Sequence, residues 1–221
     1  MRNFKKTLSF LLSTVIIVSS VAGVGTTAFA ATDEHTYKNF KYRILDDNTA
    51  EICGYTGKNA VVTVPDSIDS KPVTSIGRTA FYSGKIKEVT IPDTVKNIKW
   101  WAFYGCESLE KINLNFGLKT VGYGAFMNCK NLKSVSIPMS VTQICDDSFA
   151  VSCSTKKGVF DTYSKQTIST QQYSTDSSFT LEGYSGTVAE KYCNDNSLNF
   201  VSSGNVIYGD VNNNGTVDAA D

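Results

Sequence analysis

A repeat of 22 or 23 residues constrains this chain more than any other feature of its sequence. A small residue followed by phenylalanine recurs at intervals of 22, 23 and 23 residues. The four pairs are Ala80-Phe81, Ala102-Phe103, Ala125-Phe126 and Ser148-Phe149. Self-similarity at such a period is typical of repeat architectures, in which each unit stacks on its neighbour. A single helix or a sandwich would not keep this spacing.

An apolar triplet precedes each of the last three pairs in the same register. The triplets are Ile86-Val89-Ile91, Leu109-Ile112-Leu114 and Leu132-Val135-Ile137, followed seven residues later by Ile98, Val121 or Ile144. The last two members of a triplet alternate along one face of a short strand, and Pro92 and Pro138 end two of these strands. Each unit exposes an apolar face until a neighbour covers it. The pattern therefore predicts a capped, β-rich repeat solenoid with parallel strands in one sheet and a buried ladder of the four phenylalanines.

Residues 1–30 have the three regions of a secretory signal peptide. Lys5 and Lys6 supply the positive start, an apolar run follows, and Ala28-Phe29-Ala30 fits a cleavage site. The apolar run approaches the length of a membrane span, so an N-terminal anchor is the alternative. The serines within the apolar run, and the cleavage site that follows it, favour removal of the leader over its retention as an anchor. Since no later segment is apolar enough to span a bilayer, we predict a secreted, extracellular chain.

Charge and composition argue against nucleic acid as a partner and against an enzyme. The chain has 21 basic and 21 acidic residues. Removal of Arg2, Lys5 and Lys6 with the leader would leave 18 against 21, a net charge of −3, so no basic footprint is expected. The single histidine, His35, lies in the polar stretch 31–39, a poor place for a positioned base. Neither a G-x-S-x-G nor an HExxH motif occurs, and a non-catalytic protein is predicted.

Six cysteines in an exported chain suggest disulfides. Cys106 and Cys129, however, occupy one phase of the repeat, which favours small buried side chains stacked on one another. Neighbouring strands lie about 4.8 Å apart, so proximity alone would permit a bond. We predict that the two thiols are buried, unpaired neighbours.

Residues 40–153 resemble the BspA-like class of bacterial leucine-rich repeats. The stretch that begins YRILDDNTAEICGYTGKNAVVTVPDS looks like the family's N-terminal β cap. TLEGYSGTVAEKYCNDNSLNFV, residues 180–201, resembles its closing segment, a short helix at about 187–195 before a last strand. The resemblance implies a leucine-rich-repeat domain over residues 40–201. The sequence departs from the family pattern at Lys99 and Cys145, where glycine is favoured, and at Ser148, so an irregular fourth repeat is expected.

Residues 154–179 interrupt this domain with a Ser/Thr-rich insertion that lacks the apolar phase. The composition predicts a mobile surface excursion. A binding loop or a glycosylated stretch is the alternative.

Two groups of residues form the candidate ligand surface. Thr90, Asn113 and Ser136 lie between the inward-facing positions of their strands and should face solvent, as a small polar column. Trp100, Trp101 and Tyr123 occupy variable positions before the Ala-Phe pairs, with Trp100 and Tyr123 in one column. Such rings could stack on sugar rings or anchor a protein partner. The alternative is that they fold back over a neighbouring turn.

After a linker at 202–208, residues 209–221 read GDVNNNGTVDAAD, a calcium-loop pattern. It has oxygen-bearing residues at alternate positions, a glycine for the tight turn and a backbone carbonyl at position 7, which suits the hard Ca²⁺ ion. The loop resembles the first half of a type I dockerin. That resemblance implies the calcium ligands Asp210, Asn212, Asn214, Thr216, Asp218 and Asp221, and it places Ala219 and Ala220 at the positions that contact cohesin.

The dockerin resemblance implies attachment to the cohesin of a scaffoldin, in a cellulosome that degrades polysaccharides. The sequence ends at Asp221, before the second segment of a complete dockerin. We therefore expect weak calcium binding or none in this chain, and cohesin binding only in a longer parent.

Three functions remain open at this point. The favoured one is a non-catalytic module that binds a protein or glycan and is tethered to a cellulosome-like complex. The second is a free or cell-surface adhesin with a vestigial dockerin. The third and least favoured is a glycan-active enzyme.

Overall fold

The computed structural model describes residues 34–156, 160–161, 166–167 and 170–205. It shows a β-solenoid whose turns stack along three sides. The signal peptide and the dockerin-like loop predicted above lie outside the described residues. Within them, no helix is long and apolar enough to cross a membrane.

The N-terminal cap is an antiparallel meander of β1 (His35–Tyr37), β2 (Phe40–Ile44) and β3 (Ala50–Tyr55). Short strands follow: β4 (Val61–Thr63), β5 (Ser67–Ile68), β6 (Lys71–Ile76), β7 (Glu88–Thr90), β8 (Asn97–Ile98), β9 (Lys111–Asn113), β10 (Thr120–Val121), β11 (Ser134–Ser136) and β12 (Gln143–Ile144). The third turn thus has strands of the same lengths as the second, one of three residues and one of two.

The first side of the solenoid carries the predicted triplet strands. Parallel β4, β7 and β9 align Val62, Val89 and Ile112, which are buried. The other predicted core positions, Ile91, Val135 and Ile137, are also buried, while Leu114 is half-buried against the core. The inward orientation of these side chains is confirmed.

The prediction of a single sheet on this side is wrong. β4, β7 and β9 form one sheet, and β11 belongs to a second with β17 (Thr180–Ser185) and β18 (Asn199–Asn205). A three-residue strand makes few ladder bonds with each neighbour, and neighbouring strands twist against one another. A small change in stacking between β9 and β11 is therefore enough to break the ladder while their side chains still pack.

The second side is one continuous parallel run of β3, β6, β8, β10 and β12. Its register joins Ile52 to Ile76, Ile76 to Ile98, Ile98 to Val121 and Val121 to Ile144. This column extends the repeat into the N-terminal cap, so that the cap continues the solenoid rather than covering its end.

Lys99, one of the departures from the family pattern, makes an ion pair with this cap. Glu51 of β3 is only 1% exposed and pairs with both Arg43 and Lys99. A buried carboxylate requires such partners because its loss of hydration is costly. Lys99 therefore neutralises a charge that the cap buries, which explains a lysine where the repeat favours glycine.

The third side is formed by the Ala-Phe segments, which are turns joined by backbone hydrogen bonds. The amide of Phe81 donates to the carbonyl of Ala102 at 2.7 Å, that of Phe103 to Ala125 at 2.8 Å, and that of Phe126 to Ser148 at 2.9 Å. The four rings stack at centroid distances of 4.8, 5.1 and 4.9 Å, within 9° of parallel. The predicted phenylalanine ladder is confirmed, and Phe179 extends it at 5.9 Å.

The thiols of Cys106 and Cys129 are buried and unpaired, as predicted. Each donates to the carbonyl of a phenylalanine in the preceding turn, Cys106 to Phe81 at 2.9 Å and Cys129 to Phe103 at 3.2 Å. Burial raises the pKa of Cys129 well above its usual range. Both cysteines thus pack as small core residues.

The closing segment also matches its prediction. Helix α1 (Val188–Asn196) ends at Ser197, whose left-handed φ of 54° turns the chain into β18. Tyr192 packs its ring edge-on against Phe149 at 6.1 Å. The helix therefore covers the last ring of the repeats.

The Ser/Thr-rich insertion is a β-hairpin, which its composition did not predict. β13 (Val151–Lys156) pairs in antiparallel register with β16 (Thr170–Thr175), and β14 (Phe160–Asp161) pairs with β15 (Gln166–Thr167). Asp176 anchors its base by accepting from the Ser178 hydroxyl at 2.6 Å and from Lys133 at 2.9 Å. These two bonds lower the pKa of Asp176 to about 2. The hairpin is thus joined to the repeats by an ion pair.

Truncating the phenylalanine ladder should destabilise the solenoid strongly. Phe126 is buried between Phe103 and Phe149, so Phe126→Ala should lower the free energy of unfolding by about 3–5 kcal/mol. Phe116, which is 66% exposed, is the matched control. Phe116→Ala should stay within about 0.5 kcal/mol of the wild type. Equal effects of the two changes in denaturant unfolding would contradict the ladder.

Candidate ligand-binding groove

An open groove of about 270 Å³ lies on the side formed by the Ala-Phe turns. We call it the aromatic groove. Five aromatic side chains line it, together with a threonine and a methionine: Tyr82, Trp101, Tyr104, Tyr123, Tyr173, Thr79 and Met127. Its walls come from three successive turns and from the hairpin.

One wall follows a column of residues in the left-handed backbone conformation. Thr79, Trp101, Gly124 and Asp147 occupy the same position of successive turns, with φ values of 56°, 56°, 58° and 53°. Glycine, asparagine and aspartate tolerate this conformation, whereas a bulky residue in it is an outlier. Such strain persists only where the surrounding structure imposes it, and it is concentrated at functional sites. Thr79, which is β-branched, and Trp101, which is bulky, are therefore the two unusual residues of this column.

The Trp101 ring is held by its neighbours. The Arg78 guanidinium lies 4.7 Å from the centroid of the indole, a cation–π arrangement. Tyr123 of the next turn meets the indole edge to face at 6.2 Å and 68°. A Cβ on Gly124 would lie 2.6 Å from the indole Cδ1, so the glycine makes room for the ring.

The opposite wall is a second aromatic stack, outside the core. Tyr82 and Tyr104 follow Phe81 and Phe103 by one residue, and their rings lie 5.4 Å apart and 2° from parallel. Tyr82 is 59% exposed. In the third turn the same position holds Met127, which is buried. The stack therefore ends at Tyr104, and the groove continues over Met127.

The hairpin contributes the last aromatic residue, Tyr173 of β16. Tyr173 faces the repeats across the groove from Tyr123 and stays largely exposed. The insertion thus contributes one residue to the lining of the groove.

Charged residues lie next to two aromatic residues of the groove. Arg78 lies beside Trp101, and Asp146 and Asp147 lie beside Tyr123. The Tyr123 hydroxyl donates to the Asp147 carboxylate, which raises the pKa of Tyr123 above its ordinary value, with burial as the second cause. The groove is therefore lined by apolar and aromatic side chains, with a positive charge next to Trp101 and negative charges next to Tyr123.

The structure brings together only some of the residues that the sequence singled out. Trp101 and Tyr123 meet in the groove, but Trp100 does not line it. Trp100 is 58% exposed and lies against Gly122, where a Cβ would come within 2.9 Å of the indole. Trp100 and Tyr123 share a column of the repeat, but the ring that meets Tyr123 is that of Trp101.

The polar column on the strands is paired within itself. The Asn113 amide donates to Glu88 at 2.9 Å and to Thr90 at 3.2 Å. Lys111 adds an ion pair to Glu88 at 3.0 Å, and Ser136 is exposed on β11. A surface whose polar groups satisfy each other offers few groups to a ligand.

The predicted calcium ligands Asp210, Asn212, Asn214, Thr216, Asp218 and Asp221, and the cohesin contacts Ala219 and Ala220, lie outside the described residues. Among the residues that the structure does describe, no group of three or more His, Cys, Asp or Glu could hold a metal ion.

Comparison with known proteins agrees with the geometry. A family model described as a BspA type leucine rich repeat region matches in six copies over residues 62–180, more than half of the chain. No curated protein sequence matches.

Solved structures of leucine-rich repeat proteins are similar. One from Bacteroides capillosus is 31% identical, covers 51% of this chain and 88% of its own, and has a TM-score of 0.49. One from T. pallidum is 34% identical, with coverage of 50% and 53% and a TM-score of 0.48. A leucine rich cell surface protein from Faecalibacterium prausnitzii is 20% identical over 80% of this chain, has a TM-score of 0.54 and shares the fold; the match spans 40% of that protein.

The electrostatics of the groove can be tested at Asp147. Asp147→Asn keeps a residue suited to left-handed φ but removes the charge that accepts from Tyr123. The pKa of the Tyr123 phenol should therefore fall toward its ordinary value, as measured by NMR with labelled tyrosine. Asp146→Asn is the control and should change the pKa of Tyr123 less, because Asp146 is the smallest of the causes that raise it. An unchanged Tyr123 pKa in Asp147→Asn would contradict the hydrogen bond.

Proposed function

The chain belongs to the BspA-type leucine-rich repeat family, and on this premise we propose that it is an exported, non-catalytic binding module. Its ligand, a protein or a glycan, occupies the aromatic groove. The observation that carries this proposal is the convergence of five aromatic side chains at one open groove. Exposed apolar patches of this kind are uncommon on a soluble protein unless they bind something.

The backbone supports the proposal because it fixes the groove before any ligand arrives. The amide of Trp101 donates to the carbonyl of Tyr123 at 3.0 Å, and the amide of Gly124 to that of Asp146 at 3.2 Å. These bonds join the turns directly beneath the groove. A site held rigid in this way pays little ordering entropy on binding, which suits recognition.

We further propose that the dockerin-like loop tethers the module. Its carboxylates and amides, with the Thr216 carbonyl, make up the oxygen-rich donor set that calcium prefers. With a second segment following the loop, cohesin of a scaffoldin would be the partner, and the module would serve a complex that degrades polysaccharides. Its localisation is then extracellular.

A cell-surface adhesin is the second candidate function. The Faecalibacterium prausnitzii protein that shares the fold is described as a cell surface protein. In an adhesin the aromatic groove would still bind its ligand, and the dockerin-like loop would not attach the protein to a scaffoldin. Cohesin binding by a chain with a complete second segment separates the two candidates.

The groove can be tested with two matched tryptophan variants. Trp101→Gly removes the central ring at a backbone position that glycine adopts without strain, so the fold should survive while binding is lost. Trp100→Ala removes an equally large side chain outside the groove. Arrays of oligosaccharides and of peptides should give signals that fall at least tenfold in Trp101→Gly and persist in Trp100→Ala, as for a central anchor. Signals that fall only in Trp100→Ala, or no signal with the wild type, would contradict the proposal.

Calcium binding tests the tether separately. A chain truncated at Asp221 should bind calcium weakly or not at all, because it lacks the helix that follows the loop in a dockerin and ordering an unsupported loop opposes binding. A chain extended by a complete second segment should bind calcium and then cohesin. Calorimetry on both chains decides this point. Tight binding by the shorter chain would show a self-sufficient loop, and failure of the longer chain would overturn the dockerin assignment.

A further inference from the structure

We infer that the aromatic groove takes an extended segment of a protein, in which apolar side chains lie between an acidic residue and a basic one. This inference rests on the proposed function and narrows its ligand from protein or glycan to protein. Four features of the groove support the choice.

One face of several rings is already covered within the chain. Tyr82 and Tyr104 lie parallel at 5.4 Å and cover each other. One face of Trp101 is covered by Arg78, and Tyr123 meets Trp101 edge to face. A pyranose ring stacks on an open, flat aromatic face, and a linear glycan requires several such faces in line. Because one face of Tyr82, Tyr104 and Trp101 is covered, the groove offers few open faces in line, whereas side chains of a protein can pack against single rings.

Several polar groups of the lining are engaged within the chain. The Thr79 hydroxyl donates to the Arg78 carbonyl at 2.7 Å, and the Tyr123 hydroxyl donates to Asp147. A glycan brings many hydroxyl groups, and each one that loses water without gaining a partner opposes binding. An apolar peptide side chain has no such requirement.

The residue types are those of protein interfaces. Tryptophan, tyrosine, methionine and arginine are enriched where proteins meet, and tryptophan, tyrosine and arginine dominate hot spots. The groove combines Trp101, four tyrosines and Met127 with Arg78 at its edge. Its volume of about 270 Å³ lies just below the range of small-molecule pockets, about 300–1,000 Å³. This volume suits one or two anchoring side chains.

The charges next to Trp101 and Tyr123 give the segment its direction and length. Arg78 belongs to the first of four successive turns, and Asp146 and Asp147 belong to the last. Turns joined by strand-type bonds are about 4.8 Å apart, so the backbone positions of Arg78 and Asp146 are about 14 Å apart. An extended chain rises about 3.3 Å per residue, so this distance takes about four residues at most. A partner with an acidic residue near Arg78 and a basic residue near Asp146 would match both charges.

A peptide library tests this inference on the full chain. The library fixes Glu at one end and Lys at the other, with two to four randomised residues between them. Aromatic, proline or aliphatic residues should be selected at the centre, and binding of the selected peptides should fall at least tenfold in Trp101→Gly but not in Trp100→Ala. Asp146→Lys should weaken binding several-fold, and replacing the peptide's Lys by Glu should restore it.

The outcomes distinguish this inference from the proposed function. If oligosaccharides bind in a Trp101-dependent way and the peptides do not, the groove is the binding site but its ligand is a glycan. If selected peptides bind equally to wild type and Trp101→Gly, or if neither class of probe binds, the inference and the proposed function both fail. If binding depends on Trp101 but the peptide with Glu in place of Lys does not bind Asp146→Lys more tightly, the proposed match of charges between peptide and groove is wrong.

Discussion

The hydrogen bond from one Ala-Phe turn to the next is the interaction on which the rest of this structure depends. It sets the spacing at which the phenylalanine rings stack, and the stacked rings fill the core between the two strand-bearing sides. Because the bond recurs at the same place in every turn, residues outside the core also fall into columns. A column of surface residues on a solenoid is thus a consequence of core packing, and one unusual residue in such a column stands out against its neighbours.

Trp101 is that residue. It is the largest side chain of its column, in which Thr79, Gly124 and Asp147 share the same left-handed backbone. Arg78 of the preceding turn contacts its ring, and Gly124 of the next turn has no side chain that would clash with it. Complementary residues in the turns on either side of one large ring are consistent with a site that is built for binding.

Much of this architecture could be predicted from the repeat alone, because burial in a solenoid follows the period. Their position in the repeat was enough to predict the burial of Val89, Ile112, Cys106 and the four phenylalanines. The column of Tyr82 and Tyr104 could also have been found, since both residues follow a repeat phenylalanine. Other features could not. The sequence does not show that Trp101, rather than Trp100, meets Tyr123. Tyr173 lines the groove from a hairpin whose polar sequence does not follow the repeat. The break between β9 and β11 depends on a small change in stacking that leaves no mark in the sequence.

The most direct measurement is hydrogen–deuterium exchange on the full chain, with and without a peptide selected from the library. The account predicts that the peptide slows exchange in residues 78–82, 100–104 and 123–127 and around Tyr173, the segments that form the groove. Slower exchange in residues 88–90, 111–113 and 134–136, with unchanged exchange in the groove segments, would place the site on the first side of the solenoid and contradict the account.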